Sequence, residues 1–166
     1  RITRFAAARF DSQVPAGAEP GALEHKLLAD LQAGLRTLTV HHEALEFRKA
    51  AQETRALWVL GNEYLQAAAP WTAIKTDPDA AALGVRIGLN LCAIYAAIAA
   101  PFTPNAAAAI AAALGLGPDA LRWPDPERTD LLDQVPVGSA FTPPDVLFRK
   151  IEDTDVATWG ERFGAG

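Results

Sequence analysis

The sequence predicts an all-α fold: a bundle of about five helices with an irregular C-terminal tail packed on it. Apolar residues recur at spacings of three and four over most of residues 1–117, and clusters of proline and glycine separate these runs. No segment shows the alternation of apolar and polar residues that is typical of a half-buried strand. Half of the 166 residues are hydrophobic, which is enough to form one core.

The first two helices are predicted from short apolar repeats on either side of a loop. Residues 1–10 form the first helix, in which Ile2 and Phe5 are three positions apart. Residues 11–21 contain two prolines and two glycines and are predicted to form a loop. The second helix, over about 21–40, has the strongest amphipathic pattern, because leucines recur at positions 23, 27, 31, 35 and 38.

The third helix is predicted over about 43–68 and ends before Pro70. The adjacent His41 and His42 are interpreted as a solvent-exposed junction before it. We assign Trp58 to the buried side of this helix, together with Phe47, Ala51, Thr54, Gly61 and Leu65. The other side is polar, with Arg48, Gln52, Arg55, Asn62 and Gln66.

The fourth helix, over about 78–100, begins after the N-cap residue Asp77 and is apolar almost all round. A helix of this kind lies at the centre of a bundle or spans a membrane. Arg86 and Asn90 lie within it, and they favour the central position. The fifth helix is rich in alanine and follows Thr103-Pro104.

The domain organisation is predicted to be a helical bundle over residues 1–117 and a C-terminal tail over 118–166. The tail begins with a proline-rich, acidic stretch and ends with one or two amphipathic turns over 153–163. We expect Trp123 and Trp159 to fix the tail to the bundle. Short apolar anchors are expected at Val146, Leu147, Phe148 and Ile151.

Motifs for catalysis and metal binding are missing from the sequence. It has no glycine-rich nucleotide loop, no nucleophile elbow and no zinc-binding helix motif. The three histidines lack ligand spacing, the acids at 125–133 are interpreted as solvated charge, and the single Cys92 as a buried apolar residue. We therefore predict no catalytic, cofactor-binding or metal-binding residues in this chain.

The charge distribution restricts where a nucleic acid could bind. The net charge is −5, but residues 1–75 carry nine Lys/Arg and eight Asp/Glu, whereas residues 76–166 carry six and twelve. A nucleic-acid site is therefore expected in the N-terminal half and should depend on more than bulk charge. Trp71 directly follows Pro70 at a predicted helix corner. From the residues alone, it is either a core aromatic or a platform for an unstacked RNA base.

Four short motifs occur in order along the chain. They are Arg9-Phe10-Asp11, then Asn62-x-Tyr64 followed by Pro70-Trp71 and Lys75, then Pro101-Phe102-Thr103-Pro104, and Leu147-Phe148-Arg149-Lys150-Ile151-Glu152-Asp153. Together they resemble the C-terminal anticodon-binding domain of bacterial methionyl-tRNA synthetases.

This resemblance implies a set of tRNA-binding residues. Trp71 would stack on an unstacked anticodon base, and Arg1, eight positions before Arg9, would contact base edges. Asn62, which opens the central motif, is assigned to the same anticodon-binding set. The asparagine that accompanies the arginine in the family lies four residues upstream of Arg1 and thus outside this chain.

The resemblance also implies a role within a larger enzyme, a class I methionine–tRNA ligase in the cytoplasm. Its ATP-binding and, in some members, zinc-binding parts lie upstream, so this fragment would need no cofactor. The expected partners are the anticodon loop of methionine-accepting tRNA and the chain's own catalytic domain, towards which the tail would fold; no membrane is expected. The alternative, suggested by the net charge of −5, is a non-catalytic helical protein-interaction domain.

Overall fold

The computed structural model describes residues 1–164, and within them the chain folds into helices without strands. The α-helices are α1 Ile2–Arg9, α2 Ala22–Glu43, α3 Phe47–Ala68, α4 Pro70–Ala73, α5 Pro78–Ala99, α6 Pro104–Ala113 and α7 Asp153–Phe163. Two short 3-10 helices lie in the tail, at Pro118–Leu121 and Leu131–Asp133. The all-α prediction is confirmed, and the short α4 is an element that the sequence did not predict.

Helix α5 is the centre of the fold, as its almost uniformly apolar sequence predicts. Its start is fixed by Asp77, whose side chain accepts a hydrogen bond from the backbone N–H of Ala80 at 3.0 Å. Of the described helices, α5 alone is long and apolar enough to cross a membrane, and 83% of its most apolar window is buried within the fold. This burial against neighbouring helices accounts for its hydrophobicity.

The core consists of two clusters that meet at α5. The first packs α2 and α3 on α5, with Leu31, Leu35, Leu38, Leu57, Ile87, Leu91, Ile94 and Ile98 among its members. The second packs α1, α6 and the tail on α5, with Ile2, Ala6, Val14, Val85, Leu89, Leu114, Val135 and Phe141 among its members. Leu65 of α3 is packed against both clusters.

The buried side of α3 differs from the predicted one. The side chains that face the core are those of Ala50, Thr54, Leu57, Gly61 and Tyr64. Trp58 is 41% exposed and Phe47 is 57% exposed, so their assignment to the core was wrong. Thr54 and Gly61 lie on both the predicted and the observed stripes. The predicted stripe included the flank of Trp58, whereas the structure buries the opposite flank, with Leu57 and Tyr64.

The junction between α2 and α3 lies later than predicted. His41 and His42 form the last turn of α2, and the turn at Ala44–Glu46 connects the two helices. The Thr39 hydroxyl donates to the Leu35 carbonyl at 2.8 Å, which satisfies this hydroxyl without ending the helix. Local helix propensity was therefore a poor guide to this boundary.

The tail is attached to the bundle over its first part only. Leu131, Leu132, Val135 and Phe141 are buried, and the Asn90 side chain of α5 accepts a hydrogen bond from the backbone N–H of Val135 at 2.8 Å. Trp123 fixes the tail to α2, since its indole N–H donates to the Thr39 hydroxyl at 2.8 Å. The division of the chain at residue 117 remains a prediction.

The last part of the tail does not pack as predicted. Trp159 is 44% exposed, and α7 contains no buried residue. The expected anchors are also exposed: Val146, Leu147, Phe148 and Ile151. These apolar side chains need a surface to bury them, and the described residues do not provide one.

Candidate nucleic-acid interface

The structure brings two of the three predicted tRNA-binding residues together. The guanidinium carbon of Arg1 lies 4.4 Å from the centre of the Trp71 ring, which is cation–π distance. Trp71 is half-buried and Arg1 is exposed. The two side chains, which are 70 positions apart in sequence, therefore form one surface with an aromatic ring and a planar cation.

A sharp corner between α3 and α4 places Trp71 in this surface. Helix α3 ends at Ala69, which has a left-handed backbone with φ 38°, a conformation that a residue with a Cβ seldom adopts. Pro70 follows as the first residue of α4 and is buried. Trp71 is the next residue, so the buried proline holds the corner and leaves the indole half accessible.

Two glycines of α5 set the distance between α1 and this corner. A Cβ at Gly88 would lie 2.9 Å from Cγ1 of Ile2 and 3.1 Å from Cδ2 of Leu65, so this glycine permits close approach. One turn earlier, Gly84 lies beside Ala68 and Pro70. Because Ile2 adjoins Arg1 and Pro70 adjoins Trp71, packing on these neighbouring positions of α5 brings Arg1 to Trp71.

Substitution of Gly88 by alanine should destabilise the chain relative to the same substitution at Gly84. Both changes gain about 1 kcal/mol of helix propensity. At Gly84 the new Cβ would meet its nearest atoms at 3.5 Å, an ordinary contact, whereas at Gly88 it must displace Ile2. Overpacking of this kind costs about 1–3 kcal/mol. Urea unfolding of the two variants measures the difference, and equal stability would show that Ile2 moves without cost.

Asn62, the third predicted residue, lies apart from the other two. It is exposed on α3, and no hydrogen bond joins its side chain to Arg1 or Trp71 within residues 1–164. Asn62 shares a helix face with Leu65 and Ala69, at spacings of three and four, so its face leads to the Trp71 corner two turns later. Its contact with RNA remains a prediction.

The tyrosine of the central motif has a structural place in the core. Tyr64 is buried, and its hydroxyl donates to Oε1 of Glu24 on α2 at 3.0 Å. Burial, together with the charge of Glu24, raises the pKa of Tyr64 above its ordinary value. This residue therefore holds α2 to α3 and keeps the exposed face of α3 in position.

The cations near the candidate interface are unpaired. Within the described part of the chain, no carboxylate forms an ion pair with Arg1, Arg4, Arg9 or Lys75, and all four are exposed. By contrast, cations of the tail are paired locally: Arg122 with Asp119, Arg128 with Asp130, and Arg149 with Asp155. The N-terminal cations thus remain available for phosphate, despite the negative net charge.

Among the described residues, no side chains are arranged for metal binding or nucleophilic catalysis in the way that Arg1 and Trp71 are arranged at the candidate interface. Within residues 1–164, no group of three or more His, Cys, Asp and Glu side chains is placed to hold a metal ion. Cys92 is partly buried against the second core cluster, and burial raises its pKa to about 11. A thiol with this pKa stays protonated near neutral pH and is a poor nucleophile.

Trp58 is an exposed aromatic residue that the sequence prediction placed in the core. Its exposure follows from the heptad spacing of Ala50, Leu57 and Tyr64, which places the buried stripe on the other flank of α3. Weighting that spacing above side-chain size would have placed Trp58 outside the core.

Comparisons with known proteins identify the family of the chain. The family described as "Anticodon binding domain of methionyl tRNA ligase" matches residues 14–166. The chain is 54% identical over 164 residues to the methionine–tRNA ligase of Caulobacter vibrioides, covering 99% of this chain and 29% of that protein. It is 51% identical over 163 residues to that of Cereibacter sphaeroides, covering 98% of this chain and 28% of that protein.

Solved structures show the same fold at lower sequence identity. The Mycobacterium tuberculosis methionyl-tRNA synthetase bound by methionyl-adenylate superposes with a TM-score of 0.78 at 21% identity, covering 90% of this chain and 29% of that one. Its free form gives a TM-score of 0.78 at 21% identity over 92% of this chain and 30% of that one. The chain thus spans less than a third of the length of its curated relatives. It belongs to the family of anticodon-binding domains of methionyl-tRNA ligases.

Proposed function

We propose that this chain recognises the anticodon loop of a methionine-accepting tRNA, as the C-terminal part of an ATP-dependent methionine–tRNA ligase. The observation that supports this most directly is the contact between Arg1 and the half-exposed ring of Trp71. RNA loops are recognised by stacking of splayed-out bases on aromatic rings and by hydrogen bonds to their edges. An indole beside a planar cation supplies both kinds of contact.

The two side chains have complementary roles in this proposal. Trp71 offers a flat apolar surface, and stacking on such a surface contributes about 1–3 kcal/mol per base. Arg1 has five N–H donors in a rigid fork, and no carboxylate of residues 1–164 pairs with it. The cation–π contact places this fork over the Trp71 ring, at 4.4 Å from its centre, so in this proposal Arg1 moves from the ring face to the edge of the base that stacks there.

Catalysis belongs to the rest of the protein in this proposal. ATP binding, with or without a structural zinc, is assigned to the upstream catalytic domain, and the ligase is assigned to the cytoplasm. The present chain supplies discrimination between tRNAs. The cations at Arg4, Arg9 and Lys75 would neutralise phosphates near the loop, which explains how a domain of net charge −5 binds RNA.

The tail is proposed to contact the upstream domain through α7. Val156, Trp159 and Phe163 share one face of this helix at spacings of three and four, and they are 58%, 44% and 70% exposed. An apolar face of this size is typical of an interface. Because the chain spans only 29% of its relatives, the catalytic domain of the same protein is the nearest candidate surface.

The proposal is tested by exchanging the anticodon. Filter binding should compare the full-length protein on methionine-accepting tRNA with the same tRNA carrying a replaced anticodon. Each lost base contact of 1–3 kcal/mol should weaken binding about 5- to 150-fold. An equally large replacement in the T loop is the control and should leave the Kd within about threefold. Equal affinity for the original and the anticodon-replaced tRNA would reject anticodon recognition.

A further inference from the structure

The outer flank of α3 forms a surface that continues from the Arg1–Trp71 pair. Trp58, Asn62, Leu65 and Ala69 follow one another at spacings of four, three and four, so they lie on one face of the helix. At 1.5 Å per residue, this face runs about 16 Å from Trp58 to the end of α3. Trp71 lies just beyond that end.

Packing contacts show that this face points towards the start of α1. Cδ2 of Leu65 and Cγ1 of Ile2 both lie beside Gly88 of α5, at 3.1 and 2.9 Å from its ideal Cβ position. Ile2 is the neighbour of Arg1 in sequence. The face that bears Trp58 therefore leads to Arg1 as well as to Trp71, and it lies on the same side of the bundle.

The charge along this face is positive. Arg55 is three residues before Trp58, and Arg48 is two turns before Arg55 on the same stripe; both are exposed, and neither has an ion-pair partner within residues 1–164. The stripe contains no acid: it consists of Arg48, Ala51, Arg55, Trp58, Asn62, Leu65 and Ala69. The positive charge of this stripe complements the negative charge of a polyanion such as RNA.

The acids of α3 lie on the side that faces α2. Oε1 of Glu53 lies 3.2 Å from the ideal Cβ position of Gly34 on α2. Glu63 lines a groove that Lys26 of α2 also lines. Glu53 is thus turned away from Trp58, whereas Glu63 also lines a groove with Arg55. Neither carboxylate forms an ion pair with an arginine of the stripe within residues 1–164.

Trp58 is an exposed aromatic ring with polar residues on the same stripe. It is 41% exposed, its neighbours on the helix surface include Arg55 and Asn62, and the adjoining Val59 is 45% exposed. A protein partner would be favoured by a contiguous apolar patch, whereas a single exposed aromatic among arginines and amides is typical of single-stranded RNA binding. Such a ring can stack on any base, and the arginine can bind the adjoining phosphate.

We propose that Trp58 and Arg55 form a second RNA-binding position, in which Trp58 stacks on an unpaired base and Arg55 binds a neighbouring phosphate. The ligand is the RNA strand that continues from the base on Trp71, so this inference rests on the proposed function. It extends the contact surface from the corner of α4 along about three turns of α3. Asn62 lies between the two tryptophans and thereby acquires a place in the same surface.

The test uses the full-length protein and methionine-accepting tRNA, with the Kd measured by filter binding. Trp58→Ala should weaken binding about 5- to 100-fold, while Trp58→Phe, which keeps an aromatic ring, should stay within about threefold of the original. Val40→Ala is the control, because Val40 lies on α2, away from the stripe, and is 59% exposed. It should leave the Kd unchanged within about threefold.

A second variant tests the charge without removing the ring. Arg55→Gln should reduce the slope of log Kd against log salt concentration by about one, as expected for the loss of one phosphate contact. It also keeps the proposal testable if Trp58→Ala misfolds. An unchanged salt slope in Arg55→Gln, or an unchanged Kd in a folded Trp58→Ala, would overturn the proposal.

Trp71→Ala separates the failure of this inference from the failure of the proposed function. If Trp71→Ala weakens tRNA binding and Trp58→Ala does not, the second position is wrong and anticodon recognition stands. If neither substitution weakens binding, both proposals fail. If Trp58→Ala leaves the Kd unchanged but impairs methionine-dependent ATP–pyrophosphate exchange, Trp58 contacts the catalytic domain, and the RNA-binding proposal is overturned.

Discussion

Replacing Trp71 by alanine in the full-length protein is expected to lower kcat/KM for tRNA charging about 5- to 150-fold. This range follows from the 1–3 kcal/mol that stacking of one base on an aromatic ring contributes. The substitution also removes the ring against which Arg1 rests at 4.4 Å, so the guanidinium loses its fixed position. Initial rates of aminoacylation over a range of tRNA concentrations measure the effect.

Methionine-dependent ATP–pyrophosphate exchange provides the internal control for Trp71→Ala. This partial reaction needs no tRNA, and Trp71 lies in a domain without catalytic groups among its described residues, so its rate should stay within about twofold. Trp123→Ala is the matched variant, since Trp123 is a tryptophan of the tail, 36% exposed, whose indole N–H donates to Thr39 of α2. It should lower stability rather than affinity for tRNA. Equal loss of charging and exchange in Trp71→Ala would instead indicate a structural role for Trp71.

The fold could be predicted wherever the helical period was unambiguous. Four of the five leucines that define α2 are buried, and the uniformly apolar α5 lies at the centre. Prediction failed where two flanks of one helix were both plausible. In α3 the predicted stripe took the flank of Trp58, whereas the core contains Leu57 and Tyr64. The spacing of Ala50, Leu57 and Tyr64 indicates the observed orientation, and the packing of α3 on α5 fixes it, with the Tyr95 hydroxyl donating to the Leu57 carbonyl at 2.6 Å.

The residues of the candidate site could be identified from the sequence, but their contact could not be predicted from it. Motif resemblance identified Arg1 and Trp71 separately. Their contact depends on α5, a third helix, where Gly88 permits the close approach of Ile2 and the turn at Gly84 contacts Pro70. Neither glycine belongs to a binding motif. The family resemblance therefore predicts which residues bind, while close helix packing determines which of them are in contact.

Net charge was the least informative sequence property for function. The value of −5 favoured a protein-interaction domain, yet the excess of acids lies mainly in the C-terminal half. Several of these acids pair with nearby arginines, as Glu127 does with Arg36, where the ion pair lowers the pKa of Glu127. The arginines of α1 and the unpaired arginines of α3 remain on another part of the surface. The two regions thus differ in local ion pairing, which the net charge does not show.

Replacing Gly17 by alanine is expected to destabilise the chain by about 3 kcal/mol or more. Gly17 has φ +74°, and a non-glycine residue in this region costs about 1–2 kcal/mol. An ideal Cβ would also lie 2.2 Å from the backbone nitrogen of Leu83 in α5, so the loop or the helix must move. Such overpacking adds about 1–3 kcal/mol. The free energy of unfolding in urea measures the sum.

Gly138→Ala distinguishes the steric contribution from the conformational one. Gly138 has φ +82°, similar to that of Gly17, but a Cβ there would meet nothing within 4 Å. Its substitution should cost only about 1 kcal/mol, so the two variants should differ by about 2 kcal/mol. Equal destabilisation by Gly17→Ala and Gly138→Ala would mean that α5 moves away from the new Cβ at position 17 at no cost in stability. The loop that contains Gly17 follows α1 and is joined to the start of α5 by a hydrogen bond from the backbone N–H of Ala18 to the Asp79 carbonyl at 3.0 Å. Displacement of this loop in Gly17→Ala should therefore also loosen α1 and shift Arg1 relative to Trp71.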